Sequence, residues 1–251
     1  PLAGVLRRSL CHDAPMSPPH PILLVHGAWH GAWCFSALQH ALDERGVASF
    51  AIDLPGHGSS TLPLGDLYGD ATHVIDVLTA LPTPPVLVGH SYGGAVITEV
   101  AARHPHLVHL VYLAAFALDE GESVIGFLVG QPRVDVALNA AIQPGPAGCT
   151  VLDPAQAPRA LYGDCPPQVV AAALARLTPQ PVATFEQTVT GSPRTALAST
   201  YVRCLRDQAV HIVHQDVMAA RCGSTVTLDA DHSPFLSQAP AVADLLAGLA
   251  A

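Results

Sequence analysis

Val86-Leu-Val-Gly-His-Ser-Tyr-Gly-Gly94 is a short apolar run that ends in small residues around one serine. Its first residues are typical of a buried parallel strand, and its three glycines remove Cβ atoms that would obstruct a tight turn into a helix. Within it, Gly89-His-Ser-Tyr-Gly93 fits the Gly-x-Ser-x-Gly pattern of a nucleophile at a strand–turn–helix junction. The pattern alone is weak evidence, but the strand before it and the helix after it predict that Ser91 is a catalytic nucleophile.

Strand and helix patterns alternate on both sides of this stretch. Short apolar runs predict strands at residues 21–26, 47–53, 86–88, 109–115, 199–204 and 224–228. Helical spacing is found at residues 32–45, 66–81, 95–103, 210–221 and 241–249. The alternation predicts an α/β fold whose doubly wound, mostly parallel sheet has right-handed crossovers.

The alternation fails between residues 117 and 194, where proline and glycine are frequent and helices are predicted only over 167–177 and 181–189. We expect this segment to be a mainly helical cap over the carboxyl ends of the strands, where open α/β sheets bind ligands. Residues 16–116 and 195–251 then form the core.

Residues 1–15 contain no initial methionine and no apolar segment, whereas Met16 is a natural start. They are expected to be an upstream extension.

The composition restricts the class of protein. With 251 residues, of which 50% are hydrophobic and 12% charged, the chain can bury one large catalytic domain. A net charge of -9 without a basic cluster argues against a nucleic-acid partner, and no apolar stretch approaches the roughly 20 residues that span a bilayer.

The six cysteines are scattered, which favours reduced thiols in a cytoplasmic protein; a Cys149–Cys165 bridge is the alternative. There is no lysine, which excludes Schiff-base and lysine-base mechanisms.

A serine nucleophile needs a base, and the base needs an acid that fixes its tautomer. On this topology the expected chain order is Ser, Asp or Glu, then His. Asp207 follows a late predicted strand, and His232 alone among the histidines lies in a loop after the last strand; His211 and His214 fall on a predicted helix. The sequence predicts His232 as the base and favours Asp207 as the acid, with Asp119 as its rival.

Attack on a carbonyl generates an oxyanion, which fixed backbone N–H groups can stabilise. One N–H is expected from Tyr92, the residue after the nucleophile, at the beginning of a helix. The second is expected from Ala28, in the loop after the first apolar strand. The alternative for that loop is an ordinary glycine-rich turn.

Four motifs together resemble the α/β-hydrolase fold, especially its branch of plant methylesterases, hydroxynitrile lyases and bacterial esterase relatives. They are His26-Gly-Ala-Trp-His-Gly-Ala-Trp33, Asp53-Leu-Pro-Gly-His-Gly58, Gly89-His-Ser-Tyr-Gly-Gly94 and Asp231-His-Ser-Pro-Phe235. The resemblance runs from about residue 21 to the end. It implies that the acid follows the strand at 199–204, which supports Asp207.

The same resemblance separates hydrolysis from lyase chemistry. Hydroxynitrile lyases of this branch carry a threonine where this chain has Gly27 and a lysine where it has Ser233. The resemblance therefore implies an esterase rather than a lyase. A ligand-binding receptor with a slow triad is the other alternative.

The expected activity is hydrolysis of small to medium, largely neutral and hydrophobic carboxylic esters through an acyl-enzyme. Six residues are candidates for the substrate pocket, although each is as compatible with the core: Gly27, Trp29, Phe116, Phe127, Tyr162 and Phe235. No cofactor or metal is expected, because the histidines at 26 and 30 lie in a loop without a third ligand. The expected partner is the ester itself, and the expected state is a monomer or homodimer.

Overall fold

The computed structural model describes residues 19–251, so the predicted upstream extension lies outside the described residues. The strands are β1 (Ile22–Val25), β2 (Ser49–Ile52), β3 (Val86–His90), β4 (His109–Leu113), β5 (Ile142–Pro144), β6 (Cys149–Leu152), β7 (Gln180–Pro181), β8 (Ser199–Cys204) and β9 (Ser224–Leu228). The helices are α1 (Ser36–Asp43), α2 (Leu67–Thr79), α3 (Gly93–Arg103), α4 (Val124–Gly130), α5 (Ala137–Ala141), α6 (Ala157–Leu161), α7 (Pro167–Leu174), α8 (Ala183–Glu186), α9 (Ile212–Ala219), α10 (Pro234–Ser237) and α11 (Ala239–Ala250).

The main sheet has six parallel strands in the order β2-β1-β3-β4-β8-β9. The predicted α/β fold with a parallel sheet is therefore confirmed. The strand order reverses between β1 and β3, which pair from Ile22↔Val86 to Val25↔Gly89. Ligands bind at such a reversal in open α/β sheets, outside the carboxyl ends of the strands. The loop after β1 and the turn after β3 meet at this point.

Both faces of the central strands are buried, which explains why their sequences are continuously apolar. On β1, Leu23 and Val25 pack in the cluster that contains α2 and α3, whereas Ile22 and Leu24 pack in the cluster that contains α1 and α11. The alternation follows the two-residue period of a strand. The sheet thus forms a rigid middle layer that fixes the positions of its strand ends.

The inserted segment, defined here as residues 114–198 between β4 and β8, differs in detail from the predicted helical cap. It holds α4 to α8 together with an antiparallel sheet in the order β5-β6-β7. The predicted helix over 167–177 exists as α7, but the helix over 181–189 is reduced to α8, because Gln180 and Pro181 pair with β6 as a strand. Strands of two to four residues are too short for a periodic pattern to reveal.

Two further sequence expectations concern the whole chain. The five described cysteines, Cys34, Cys149, Cys165, Cys204 and Cys222, are free thiols, so the alternative Cys149–Cys165 bridge is not formed. Between residues 19 and 251, no helix has the length and apolar character needed to cross a membrane.

Gly89→Ala is expected to destabilise the protein, because a Cβ at this position would lie 2.4 Å from the Gly93 carbonyl oxygen. Overpacking against a fixed backbone of this kind costs about 3 kcal/mol. Gly248→Ala is the matched control, since nothing lies within 4 Å of its added Cβ and it lies inside α11. In urea unfolding, the free energy of unfolding of this control should rise by about 0.5–1 kcal/mol. An equal response of the two variants would contradict the packing argument.

Candidate active site

Ser91 occupies the sharp turn between β3 and α3. Its backbone has φ 52, a left-handed conformation that is rare for serine, and its N–H donates to the Leu113 carbonyl at 3.3 Å. Such strain persists only where the surrounding structure over-determines it. The turn is possible because a Cβ on Gly93 would lie 2.6 Å from the Val25 carbonyl oxygen, and one on Gly94 would lie 2.8 Å from the Ala115 Cβ. The side chain of Ser91 is thereby presented at the carboxyl edge of the sheet.

Asp207 and His232 are joined by a buried hydrogen bond of 2.8 Å between Asp207 Oδ2 and His232 Nδ1. Asp207 follows β8, and His232 lies in the loop after β9, as the sequence predicted. The other carboxylate oxygen of Asp207 accepts the backbone N–H groups of Ala209 at 2.7 Å and Val210 at 2.8 Å. The carboxylate is therefore held by its own loop while it faces the imidazole.

Gln215, on α9, is a neighbour of this pair that sequence reasoning missed. Its Nε2 donates to Asp207 Oδ2 at 3.0 Å and to the Val210 carbonyl at 2.7 Å, and its Oε1 accepts the Cys204 N–H at 2.9 Å. It is fully buried. A single glutamine on a helix carries no motif, so no sequence signal could have identified it. Its bonds connect the end of β8 to the loop that holds Asp207.

Asp119, the rival acid, is placed elsewhere. Its carboxylate accepts from Arg194 Nη2 at 2.5 Å and lies 3.3 Å from Arg221 Nε. Both contacts are ion pairs, with Arg194 in the inserted segment and with Arg221 just after α9, and neither involves His232. The geometry therefore favours Asp207 over Asp119.

His232 and Ser91 are brought to the same place through His90. The His90 ring packs against the His232 ring with 4.5 Å between centroids, and its Nε2 donates to the His232 carbonyl at 2.9 Å. No hydrogen bond joins the Ser91 hydroxyl to His232 among the described residues. Such catalytic contacts often tighten only when substrate binds.

The β1 loop, defined here as residues 26–30, runs directly over the elbow. A Cβ on Gly27 would lie 2.8 Å from the Ser91 Cβ, so position 27 has no room for a side chain beside the serine. The Gly27 carbonyl accepts from His26 Nδ1 at 2.8 Å and from the His30 N–H at 3.4 Å. In a trans peptide the Ala28 N–H points away from that carbonyl. Within the described residues, the Ala28 and Tyr92 N–H groups have no hydrogen-bond acceptor.

Two buried histidines of this loop are held in the neutral form. His26 Nε2 accepts the Leu54 N–H at 3.0 Å, and His30 Nε2 accepts the Tyr162 hydroxyl at 2.7 Å. Burial lowers the pKa of His26 to about 3 and that of His30 to about 4, with neighbouring histidines acting in the same direction. Each ring therefore donates at Nδ1 and accepts at Nε2 throughout the neutral pH range.

A cavity of about 640 Å³ opens next to the elbow. Its wall includes Ser91 together with Ala28 and Tyr92, the two residues whose N–H groups are unpaired. The other lining side chains are mostly apolar, and they include Val124, Ile125, Leu128, Val129, Val134, Val136, Leu138, Ile142, Val182, Phe185, Ala209 and Val210. Polar groups are few: Gln131, Arg133, Asn139, Thr150 and His214. The cavity suits a large apolar ligand.

The structure places two of the six predicted pocket residues, Trp29 and Phe116, in this wall. The other four lie elsewhere. Phe127 is buried behind Phe116 in an edge-to-face contact, Phe235 packs on Phe35 and His90 in the core, and Tyr162 is buried against His30. Gly27 has no side chain and is pressed against Ser91. Aromatic composition cannot separate pocket from core, since both are apolar.

Half of the lining residues come from α4 and the segment that follows it, up to Ile142, which the sequence did not predict as helix. The apolar run Val124-Ile-Gly-Phe-Leu-Val129 was the available signal. On α4, Ile125, Leu128 and Val129 line the cavity and remain 37–80% exposed although they are apolar. Within residues 19–251, no cluster of His, Cys, Asp and Glu has a metal-binding arrangement.

A serine on a strained strand-to-helix turn, a histidine–aspartate pair on later strand ends and a doubly wound parallel sheet define the α/β-hydrolase class. Residues 22–245 match the model of the alpha/beta hydrolase family, and the chain belongs to this family.

Similar proteins include esterases from bacteria and plants. A carbendazim hydrolyzing esterase of Nocardioides sp. (strain SG-4G) is 40% identical over 111 residues, which are 42% of this chain and 46% of that protein. The pFDCC methylesterase MES16 of Arabidopsis thaliana is 27% identical over 86% of this chain and 88% of its own length. The crystal structure of a pyrethroid hydrolase from Sphingobium faniae JZ-2 superposes with a TM-score of 0.81 at 26% identity, covering 92% of this chain and 97% of that one.

Asp70 of α2 is a buried carboxyl behind the elbow. Its Oδ2 accepts the Tyr92 hydroxyl at 2.7 Å, and its Oδ1 has no partner within the described chain. Burial raises the pKa of Asp70 to about 7, and the hydrogen bond from Tyr92 opposes this only in part. The carboxyl thus retains its proton on folding at pH values where it would be ionised in the unfolded chain.

Asp70→Asn should therefore change how stability depends on pH. Because the folded pKa lies above the unfolded one, the contribution of Asp70 is complete below about pH 4 and is lost as the pH rises towards 7. Relative to the wild type, the variant should gain up to about 4 kcal/mol of unfolding free energy between pH 4 and pH 8. Urea unfolding across this range measures the gain. The control is Asp76→Asn, at an exposed position of the same helix, whose unfolding free energy should follow that of the wild type across this range.

Proposed function

We propose that the protein is a serine hydrolase that cleaves carboxylic esters through an acyl-enzyme. The observation that carries the proposal is the buried Asp207–His232 pair beside a strained Ser91, with two unpaired N–H groups in the wall of one apolar cavity. The esterases and pyrethroid hydrolase to which the chain is similar support the same chemistry.

In the proposed mechanism His232 removes the proton of Ser91 as the hydroxyl attacks the ester carbonyl. Asp207 keeps the Nδ1–H tautomer of His232 and stabilises its protonated form. The Ala28 and Tyr92 N–H groups bind the oxyanion. His232 then protonates the leaving alcohol, and afterwards activates the water that releases the acid from Ser91.

The proposed substrates are neutral esters with a sizeable apolar group. Burial against an apolar wall stabilises the bound ligand by about 25 cal/mol for each Å² of apolar surface removed from water, so an ester with such a group binds more tightly. Arg133 is the one Lys or Arg in the wall. The cavity is larger than small esters require, which favours the upper end of the size range expected from the sequence.

Ser91→Ala should abolish hydrolysis of an activated aryl ester, with a loss of about 10⁴-fold or more in kcat. A fluorophosphonate should label the wild type at Ser91 and leave the variant unlabelled, as mass spectrometry can establish. Ser59→Ala, at an exposed serine outside the cavity wall, is the control. Full activity in Ser91→Ala would contradict the proposal. So would labelling of Ser91 in an enzyme that never completes a second turnover on any ester, since a receptor would behave in that way.

Leu128→Asn should reduce kcat/KM roughly tenfold for esters with a long or aromatic acyl group and change it little for acetates. The side chain borders the cavity and is 37% exposed, so the fold tolerates the amide. Leu62→Asn changes an exposed leucine outside the cavity and serves as the control. Steady-state kinetics over a series of acyl lengths measures the effect. An equal loss for acetates would show that α4 does not contact the acyl group.

We further propose that residues 117–194 act as the cap and that residues 16–116 and 195–251 are the core. Most of the cavity wall lies between 117 and 194, which supports this division. The cytoplasmic location and the monomeric or homodimeric state stay predictions from the sequence.

A further inference from the structure

Trp29 has an unfavourable backbone conformation that the inserted segment maintains. Its φ is 63, which is exceptional for a bulky residue. Its N–H donates to Gln180 Oε1 at 3.2 Å, its carbonyl accepts the Thr178 N–H at 2.9 Å, and its indole Nε1 donates to Thr150 Oγ1 at 3.1 Å. Every polar group of Trp29 is therefore bound by the segment that contains β6 and β7.

The peptide that joins Ala28 to Trp29 is held at both of its polar atoms. The Trp29 N–H is bound by Gln180, and the Ala28 carbonyl accepts from His30 Nδ1 at 2.8 Å. The hydroxyl of Tyr162 donates to His30 Nε2 and so selects the tautomer that carries its proton on Nδ1. Two residues of the inserted segment thus act on one peptide, directly and through His30.

Gln180 is itself fixed in orientation. Its Nε2 donates to Thr184 Oγ1 at 2.9 Å, and His57 Nε2 lies 3.0 Å from its Oε1. It is 1% exposed and pairs with Thr150 in the antiparallel sheet. Reversal of the amide would place an NH₂ group against the Trp29 N–H. The acceptor is consequently held towards the β1 loop.

We propose that Gln180, and Tyr162 through His30, are positioning residues that hold the β1 loop in the conformation that aims the Ala28 N–H at the oxyanion. Neither residue touches the reacting atoms. The inference rests on the proposed ester hydrolysis, and it makes the inserted segment part of the catalytic geometry as well as the wall of the cavity.

Gln180→Met keeps the length of the side chain and removes the acceptor, and Tyr162→Phe removes only the hydroxyl. The matched control is Gln187→Met. Gln187 also ties the inserted segment to the core, through the Leu67 N–H and Asp66, but its side chain makes no hydrogen bond to the described residues of the β1 loop. Three quantities are measured: kcat and KM for an activated ester, the affinity for an alkyl trifluoromethyl ketone that forms a tetrahedral adduct with serine, and amide hydrogen exchange over residues 27–31.

In Gln180→Met and Tyr162→Phe, kcat should fall roughly tenfold or more with KM nearly unchanged, because a misplaced donor weakens binding of the transition state and not of the ester. The affinity for the ketone should fall by a similar factor, and exchange over residues 27–31 should accelerate. Gln187→Met should leave all three quantities close to those of the wild type. Unchanged kcat in Gln180→Met would overturn the inference, as would an equal loss in Gln187→Met.

Failure of the proposed function is distinguishable from failure of this inference. A wild type that hydrolyses no ester overturns the function, and the positioning role with it. Turnover in the wild type with full activity in Gln180→Met overturns the positioning role alone.

Discussion

The close approach of the β1 loop to the turn at Ser91 is the constraint on which the site depends. β1 and β3 are neighbours in the sheet, so the residues that follow them must share one small space. Gly27 and Gly93 leave no Cβ there, so the backbone of the loop lies directly against the turn. The parallel sheet supplies the rigidity that keeps this arrangement, since its central strands are buried on both faces.

The density of histidine around the site follows from the same constraint. A loop pressed against an elbow has carbonyl groups that its own helix or strand cannot satisfy, and each needs a donor. A neutral imidazole donates at one nitrogen and accepts at the other, so it can bridge a loop carbonyl to another backbone or side-chain group. His26 and His30 do this within the loop, and His90 supports the carbonyl of His232. Burial lowers the pKa of all three and keeps them neutral.

The sequence was informative where chemistry depends on local residue type and chain order. Ser91, Asp207 and His232 were found because a nucleophile elbow has a glycine signature and the acid and base follow particular strands. The catalytic roles of these residues stay predictions. The cavity wall could not be found in this way, because an apolar wall residue such as Leu128 or Phe185 has the same sequence character as an apolar core residue. Gln180 and Gln215 could not be found either, because each acts through a single side-chain amide that belongs to no motif. The partner of Gln180 is Trp29, 151 residues away in the chain, and the partner of Gln215 is Asp207, 8 residues away.

The two positions that distinguish the lyases in this branch are also explained by packing. A threonine at position 27 would place its Cβ 2.8 Å from the Ser91 Cβ and 3.0 Å from His90 Nδ1, so the β1 loop would have to move outwards. Ser233 is completely buried, and its N–H donates to Asp231 at 3.1 Å. A lysine there would need a path for its charged head to water, since an unpaired buried charge is costly. Lyase chemistry would therefore require a reshaped β1 loop and a reshaped base loop together, rather than two exchanged side chains.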